Sequence, residues 1–366
     1  MSARPTSSSC SASASASSWY APRNRRRPSV PDNKLLLSST PHAYSAGSTR
    51  KIMLAVIIAL LPATGYGVYL FGLPALLVIL TSVVAAVVAE AGFRLVTKQD
   101  IRIGDLSAVV TGLLLALICP PSIPLWMVAL GSAAAIIFAK EFLGGLGANP
   151  FNPALIGRGI LLMSFPAAMT TWHLPVQTIG DVVTGATPLN IVKMGGSLAD
   201  VANDLAANGL AAGNSYSDML WTLFLGNRAG CIGESSILLI LVGLAFLLLT
   251  RVVNVIVPLA MMGSTFLFSW LFGLDPVFGI LSGGVVFGAV FMATDYSSSP
   301  LPPFGKLIFG TGAGFLTAII RKFGGFPEGV TYSILIMNAI APYLDKLRVK
   351  KYGFIKPAKP VKEAAK

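Results

Sequence analysis

The sequence predicts an all-α polytopic membrane protein of about ten transmembrane helices in two inverted five-helix repeats, with some helices broken or short. Three observations carry that reading. Of the 366 residues, 54% are hydrophobic and only 11% charged, with a mean hydropathy of +0.74; a soluble domain carries about 25% charged residues, and so few charges poorly cover a soluble surface. Apolar runs of span length recur along the chain. One polar, Gly/Ala/Asn-rich stretch, Met169 to Gly230, interrupts them midway.

The segments follow in order. Residues 1–36 form a Ser/Ala/Pro/Arg-rich tail with Arg23, Arg25, Arg26 and Arg27 grouped. No signal-type apolar core follows them, and the expectation is a disordered basic tail. The first repeat, residues 37–168, holds spans near Ile52–Leu70 and Pro74–Leu95, joined by a tight Phe71-Gly72-Leu73-Pro74 turn. A short third segment, Leu106–Ile118, ends at Cys119-Pro120-Pro121, and a fourth runs Leu125–Phe138. Gly144 to Pro153 is Gly-, Asn- and Pro-dense and leads into a fifth stretch ending near Phe165. Such backbone is tolerated at membrane depth only where protein buries it or it lines a cavity. Residues 169–230 form a loop. The second repeat, residues 231–345, holds spans near Ile237–Leu249, Val255–Phe272, Val277–Met292, Leu307–Ile320 and Tyr332–Leu344. A basic tail, 346–366, closes the chain.

The halves look alike. Asp105 and Asp275 each open a short Gly-bearing segment that ends in a Pro-rich turn, and Gly144–Pro153 resembles Gly324-Gly325-Phe326-Pro327. Five spans per half invert one repeat against the other, with interrupted segments meeting near the midplane. The Lys/Arg bias at the ends places both termini in the cytoplasm and the 169–230 loop on the outer face of the membrane. Arg321-Lys322 then falls outside, against the rule.

Charge and cysteine usage exclude several classes. The net charge of +12 lies largely at the chain ends, which reads as topology rather than nucleic-acid binding. Cys10, Cys119 and Cys231 are too scattered for a disulfide framework or metal motif. His42 and His173, the only histidines, make a histidine-held haem or zinc improbable. No metal site is expected, and no dinucleotide fingerprint follows a strand.

Within the loop stands Asp181-Val-Val-Thr184-Gly185-Ala186-Thr187-Pro188. Pro188 pushes Thr187 toward extended backbone, and Gly185 permits a close approach. From the residues alone, the Thr187 hydroxyl is a candidate for modification, phosphorylation or ligand binding, with Asp181 placed to orient it or hold a cation. A plain Thr/Gly/Pro turn is the competing reading.

From about Leu37 to Phe354 the chain resembles the RnfD/NqrB family of membrane proteins. The family comprises RnfD of the Rnf ion-translocating ferredoxin:NAD oxidoreductase and NqrB of the sodium-pumping NADH:quinone oxidoreductase. The residues that carry the resemblance are the motif Asp-x-x-Ser/Thr-Gly-Ala-Thr at Asp181–Thr187, Gly147-Ala-Asn-Pro-Phe-Asn-Pro-Ala-Leu-Ile-Gly-Arg158, Thr111-Gly-Leu-Leu-Leu, and Leu281-Ser-Gly-Gly with Phe291-Met-Ala-Thr-Asp295. The resemblance implies FMN bound covalently through a phosphoester at Thr187, installed by a separate flavin transferase that recognises Asp181 and Thr184, with Gly185 and Ala186 completing the cofactor-binding motif. It also implies a further, non-covalent flavin in some members, riboflavin. The implied partners are the other membrane and flavin/iron–sulfur subunits of an Rnf-type complex, with membrane lipid around the chain. The compact chain is more similar to the RnfD branch than to the NqrB branch.

Glu90, Asp105, Lys140, Glu141, Asp275 and Asp295 fall in or near spans, where charge is costly and often functional. Thr111, Asn149, Asn152, Asp275, Thr294, Asp295 and Asn338 are the candidates for a polar cavity or ion path between the repeats. The leading expectation is an electron-transfer subunit of a redox-driven sodium or proton pump, without a complete active site of its own. The alternatives are a subunit of the sodium-pumping quinone reductase, and a small-solute channel or transporter of the same inverted-repeat architecture.

Overall fold

The computed structural model describes residues 48–99, 103–175, 184–211, 213–325 and 327–348. Helix α1 (Thr49–Phe71) starts at Ser48, whose side chain accepts from Lys51 N, and stops at Gly72. That glycine has φ 70°, a backbone a side chain resists, and α2 (Leu73–Val96) restarts at once with Pro74 in its first turn. At 23 and 24 residues each helix reaches about 35 Å, enough for a bilayer core of about 30 Å. Leu80, Val84 and Val88 form an exposed apolar stripe on α2; lipid suits such a face and water does not.

The next helices are shorter because glycine, proline and asparagine cut them. α3 (Ser107–Leu117) begins where Asp105 accepts bonds from Ser107 N (2.9 Å) and Oγ (2.7 Å). α4 (Leu125–Ile136) runs on as a π turn, Ile137–Glu141. α5 (Pro153–Ser164) is capped by Asn152, whose Oδ1 accepts from Ala154 N at 3.0 Å. α2, α3 and α4 pack closely through small residues. A Cβ on Gly112 would lie 2.9 Å from Ser82 O, and Ser82 Oγ donates to Gly112 O at 2.6 Å, the small-residue contact that lets helix backbones approach within a membrane.

The middle of the chain, expected as a loop, is largely helical among its described residues. α6 (Pro166–Thr170) leads into it, and α7 (Pro188–Lys193), α8 (Leu198–Ala207) and α9 (Tyr216–Leu225) lie there. Trp172, Leu174, Leu189, Val201, Leu205, Met219 and Leu223 give it a core of its own. The weak polar/apolar contrast hid these short helices, though Ser197 and Asp200 spell a capping box at α8.

α10 (Ile237–Leu249) covers the same residues as the sixth sequence segment, and α11 (Ile256–Leu271) the core of the seventh. The eighth, read as one span, is broken. α12 (Pro276–Leu281) stops at Ser282-Gly283-Gly284, and α13 (Val285–Phe287) continues as a π turn, Gly288–Met292. α14 (Pro303–Phe323) and α15 (Val330–Asp345) complete the chain. Among the described residues α1, α2 and α14 are long and apolar enough to cross a membrane, so the chain is an all-α, multi-pass membrane protein. Gly310-x-x-x-Gly314 of α14 meets α11 so closely that a Cβ on Gly314 would lie 1.9 Å from Ser264 Oγ.

The halves share a packing pattern. α2 lies on α3 and α4; α11 lies on α12 and α14; α4 meets α5 as α14 meets α15; α1 pairs with α10. Asp275 caps α12 through Phe278 N at 2.7 Å, as Asp105 holds the start of α3. The halves join where Asn152 Nδ2 donates to Met292 O at 3.3 Å. With its amide turned to satisfy both neighbours, Asn338 donates to Ser298 O and accepts from Asn152 N, each at 3.2 Å.

Candidate functional site

Thr187 is the N-cap of α7, extended at φ −71° and ψ 147°, and its Oγ1 accepts from Asn190 N at 3.2 Å. Pro188 accounts for the extended backbone. The sequence placed this hydroxyl on an exposed loop; instead Thr187 is 7% exposed, because α7 folds down onto α12–α13 through Leu189. Thr184 and Ala186 are exposed. Thr184 makes an isolated antiparallel bridge with His173, and Gly185 N donates to Trp172 O at 3.1 Å. A Cβ on Gly185 would lie 2.9 Å from Leu174, which is the close approach that the glycine allows. Asp181 lies outside the described residues.

Beside α7 is a cleft of about 510 Å³, lined among others by Leu189, Val192, Lys193, Phe278, Arg321 and Lys322. Its size falls in the range of small-molecule sites, and its cations suit an anionic group. An ester at Thr187 would leave Oγ1 able to accept from Asn190 N; Thr187 itself is not among the residues that border this cleft. Asp275 also borders this cleft and accepts from Tyr216 Oη at 2.8 Å. Burial and that bond push Tyr216 up to about 12, which keeps it a neutral donor.

Beneath α7 lies a buried charge cluster. Arg158 of α5 donates to Glu328, Ile118 O and Cys231 Sγ. Arg228 donates to Leu281 O and to Glu234 O; Arg321 donates to Gly279 O and Ser282 O. The last two arginines therefore serve the carbonyls freed by the break between α12 and α13. This explains the pair that broke the charge rule: Arg321 is 5% exposed and holds backbone rather than marking topology. Lys193 Nζ likewise caps α14, donating to Arg321 O at 2.7 Å. Cys231, Glu234 and Glu328 bring their ligand atoms within 4.8 Å of one another. Three guanidinium groups bear on Glu234, and that positive field opposes a metal cation.

At the opposite end, Thr111, Asn149, Asn152, Thr294 and Asp295 border one cavity of about 80 Å³. Asp275 is remote from it, and Asn338 sits at the junction of the halves. Asp295 is held by Ser297 and Ser298 Oγ, both at 3.0 Å. Lys140 also borders the cavity; its Nζ donates to Ser107 Oγ at 2.6 Å and to Glu90 at 2.9 Å. Arg94 binds Glu141 at 3.0 Å and lies 3.4 Å from Glu90. Glu90, Lys140 and Glu141 thus form a closed ionic network.

Residues 36–353 match the model of the NQR2, RnfD, RnfE family. The chain belongs to that family. Its relatives agree. The chain is 45% identical over 324 residues to the D component of the proton-translocating ferredoxin:NAD(+) oxidoreductase complex of Clostridium ljungdahlii, covering 87% of this chain and 95% of the relative. It is 40% identical over 330 residues to the Na(+)-translocating counterpart of Acetobacterium woodii, covering 90% and 98%. It is 39% identical to the D component of the ion-translocating oxidoreductase complex of Stutzerimonas stutzeri, covering 86% and 95%. Sequence reasoning missed the buried cluster beneath α7: Arg228, Glu234 and Glu328 are far apart in sequence or unremarkable in their surroundings, and only the scarcity of charge in so apolar a chain could have flagged them.

Proposed function

We propose that the chain is the electron-transfer membrane subunit of a redox-driven sodium or proton pump of the Rnf type, carrying FMN on Thr187 through a phosphoester. The observation that carries this is the complete Asp181-Val-Val-Thr184-Gly185-Ala186-Thr187 motif in a chain of this family. When bound, the flavin supplies the electron-carrying chemistry. Thr187 supplies the esterified oxygen, fixed in extended backbone by Pro188. Thr184 and Ala186 offer an exposed edge to a flavin transferase, with Asp181 ahead of them. Lys193, Arg321 and Lys322 bring positive charge to the cleft beside α7. The relatives at 45% and 40% identity are named for different ions, so the coupled ion is one of two. The partner subunits of such a complex deliver and remove the electrons.

Two features support two inverted five-helix repeats with cytoplasmic termini. The packing pattern of α1–α5 returns in α10–α15, with Asp105 and Asp275 opening corresponding short helices. Arg50, Lys51, Lys98, Arg251, Lys306 and Lys346 cluster toward the end bearing the start of α1 and the finish of α15. At the other end Arg228 and Arg321 are consumed by backbone carbonyls. The cavity bordered by Thr111, Asn149, Asn152, Thr294 and Asp295 suits an ion path: about 80 Å³ admits waters or a small ion. Riboflavin requires several hundred Å³ and enters only if those helices part.

The test is expression with and without a flavin transferase, followed by in-gel fluorescence and identification of copurifying subunits. The expected result is a fluorescent band that needs the transferase and is lost in Thr187→Ala. A colourless purified protein that conducts a small solute would instead establish the channel reading.

A further inference from the structure

Glu234 has no obvious structural employment. It ends the short 3-10 turn Ile232–Glu234, outside every membrane-spanning helix, and is 5% exposed. Among the described residues its carboxylate accepts no hydrogen bond and forms no ion pair, whereas Arg158 engages the neighbouring Glu328 directly. The two carboxylates lie within 4.8 Å of each other and of Cys231 Sγ. A buried acid beside a second, ion-paired carboxylate resists ionisation on two counts, desolvation and like charge. Against this act Arg158, Arg228 and Arg321, but the last two spend their donors on backbone carbonyls. The balance pushes Glu234 up to about 7, with burial the largest cause and Glu328 the next.

Its position gives that proton a use. A Cβ on Gly284 would lie 2.2 Å from Glu234 Oε1, and one on the adjacent Gly283 would lie 3.5 Å from Leu189 Cδ2. This glycine pair thus lies against the acid on one side and against Leu189 of α7, the helix that Thr187 caps, on the other, with Arg321 Nη2 3.0 Å from the Gly283 Cβ position. We propose that Glu234 is a proton-exchange site beneath the flavin-bearing segment, exchanging one proton with the medium as charge on that segment changes. The coupling rests on the functional reading above; the proton itself does not. Were an electron from a reductant to reach FMN held on Thr187, the added negative charge would favour uptake of one proton from the medium by ionised Glu234, and loss of that electron would return the proton to the medium. Glu328 is engaged by Arg158, and the Cys231 thiol, kept protonated by burial, adds no charge.

The experiment is infrared difference spectroscopy on the full chain in its native complex, in membranes. A pH step is applied first to Thr187→Ala, which carries no attached flavin. A protonated-carboxyl C=O band titrating near pH 7 is expected, absent in Glu234→Gln and shifted to lower pH in Glu328→Gln, where the repelling charge is gone. No such band, or a band that survives in Glu234→Gln with the complex assembled, overturns the proposal. A dithionite step on the flavin-bearing protein then tests the coupling: the band should grow on reduction, and an unchanged band refutes exchange. If Thr187 bears no flavin, the functional reading and the coupling fall together, while the pH step still decides the proton.

Discussion

Replacing Lys140 by Met should destabilise the protein far more than loss of a surface charge. Lys140 is among the largest fully buried side chains. Its side chain is 2% exposed and Glu90's is 0% exposed, with 2.9 Å between Nζ and Oε2. Methionine matches the length of the stem but leaves Glu90 facing Arg94 alone, at 3.4 Å, and leaves Ser107 Oγ without its 2.6 Å donor. Removing one partner of a buried pair costs about 3–5 kcal/mol, because an uncompensated charge remains. Against a total stability of about 5–15 kcal/mol, that is a large share. The assay is denaturation of a fluorescent-protein fusion in detergent, read by size-exclusion chromatography. Glu90→Gln in the same chain removes the stranded charge, so the double variant should recover at least about 1 kcal/mol relative to the sum of the singles. A loss under about 1 kcal/mol for Lys140→Met, the size of an exposed ion pair, would refute the reasoning.

Three further outcomes follow from single contacts. Gly314→Leu should separate α11 from α14, since even a Cβ there meets Ser264 Oγ at 1.9 Å and Met261 O at 2.4 Å; overpacking of about 1–3 kcal/mol or more should show as lower yield of monodisperse protein. Thr187→Ala should remove one cap, worth about 1 kcal/mol, leaving a folded chain with near-normal denaturation and no attached flavin. Bonds from Ser197 N (2.7 Å) and Oγ (2.9 Å) hold Asp200 below the usual carboxylate range. Its folded pKa is depressed, so its contribution is fully present above about pH 4 and is lost as pH falls through the lower folded value. Hydrogen exchange of α8 should therefore speed only in acid, and Asp200→Asn should flatten that dependence.

The helical membrane class was legible because scarcity of charge and long apolar runs are properties of composition. Gly72 with Pro74, and Asp105 and Asp275 ahead of short helices, were legible as punctuation, since their physics is local. The break at Ser282-Gly283-Gly284 was hidden inside an apolar run; it stands only because Arg228 and Arg321, from other segments, satisfy the freed carbonyls. The Thr187 backbone was readable from Pro188, but not its burial, which depends on Leu189 docking against the Gly283 turn. Five of the predicted cavity residues, Thr111, Asn149, Asn152, Thr294 and Asp295, border one space because Asn152 ties the start of α5 to the π turn after α13. Asp275 does not border it: capping α12 leaves it facing Tyr216. The Arg158–Glu328 contact joins residues 170 positions apart, beyond any local rule.

The most direct measurement is mass spectrometry of the peptide spanning Thr184 to Lys193, from protein made in cells that contain the flavin transferase. The account predicts the mass of FMN joined with loss of water, fragmenting to Thr187. An unmodified peptide from such cells, or flavin located on another residue, contradicts it.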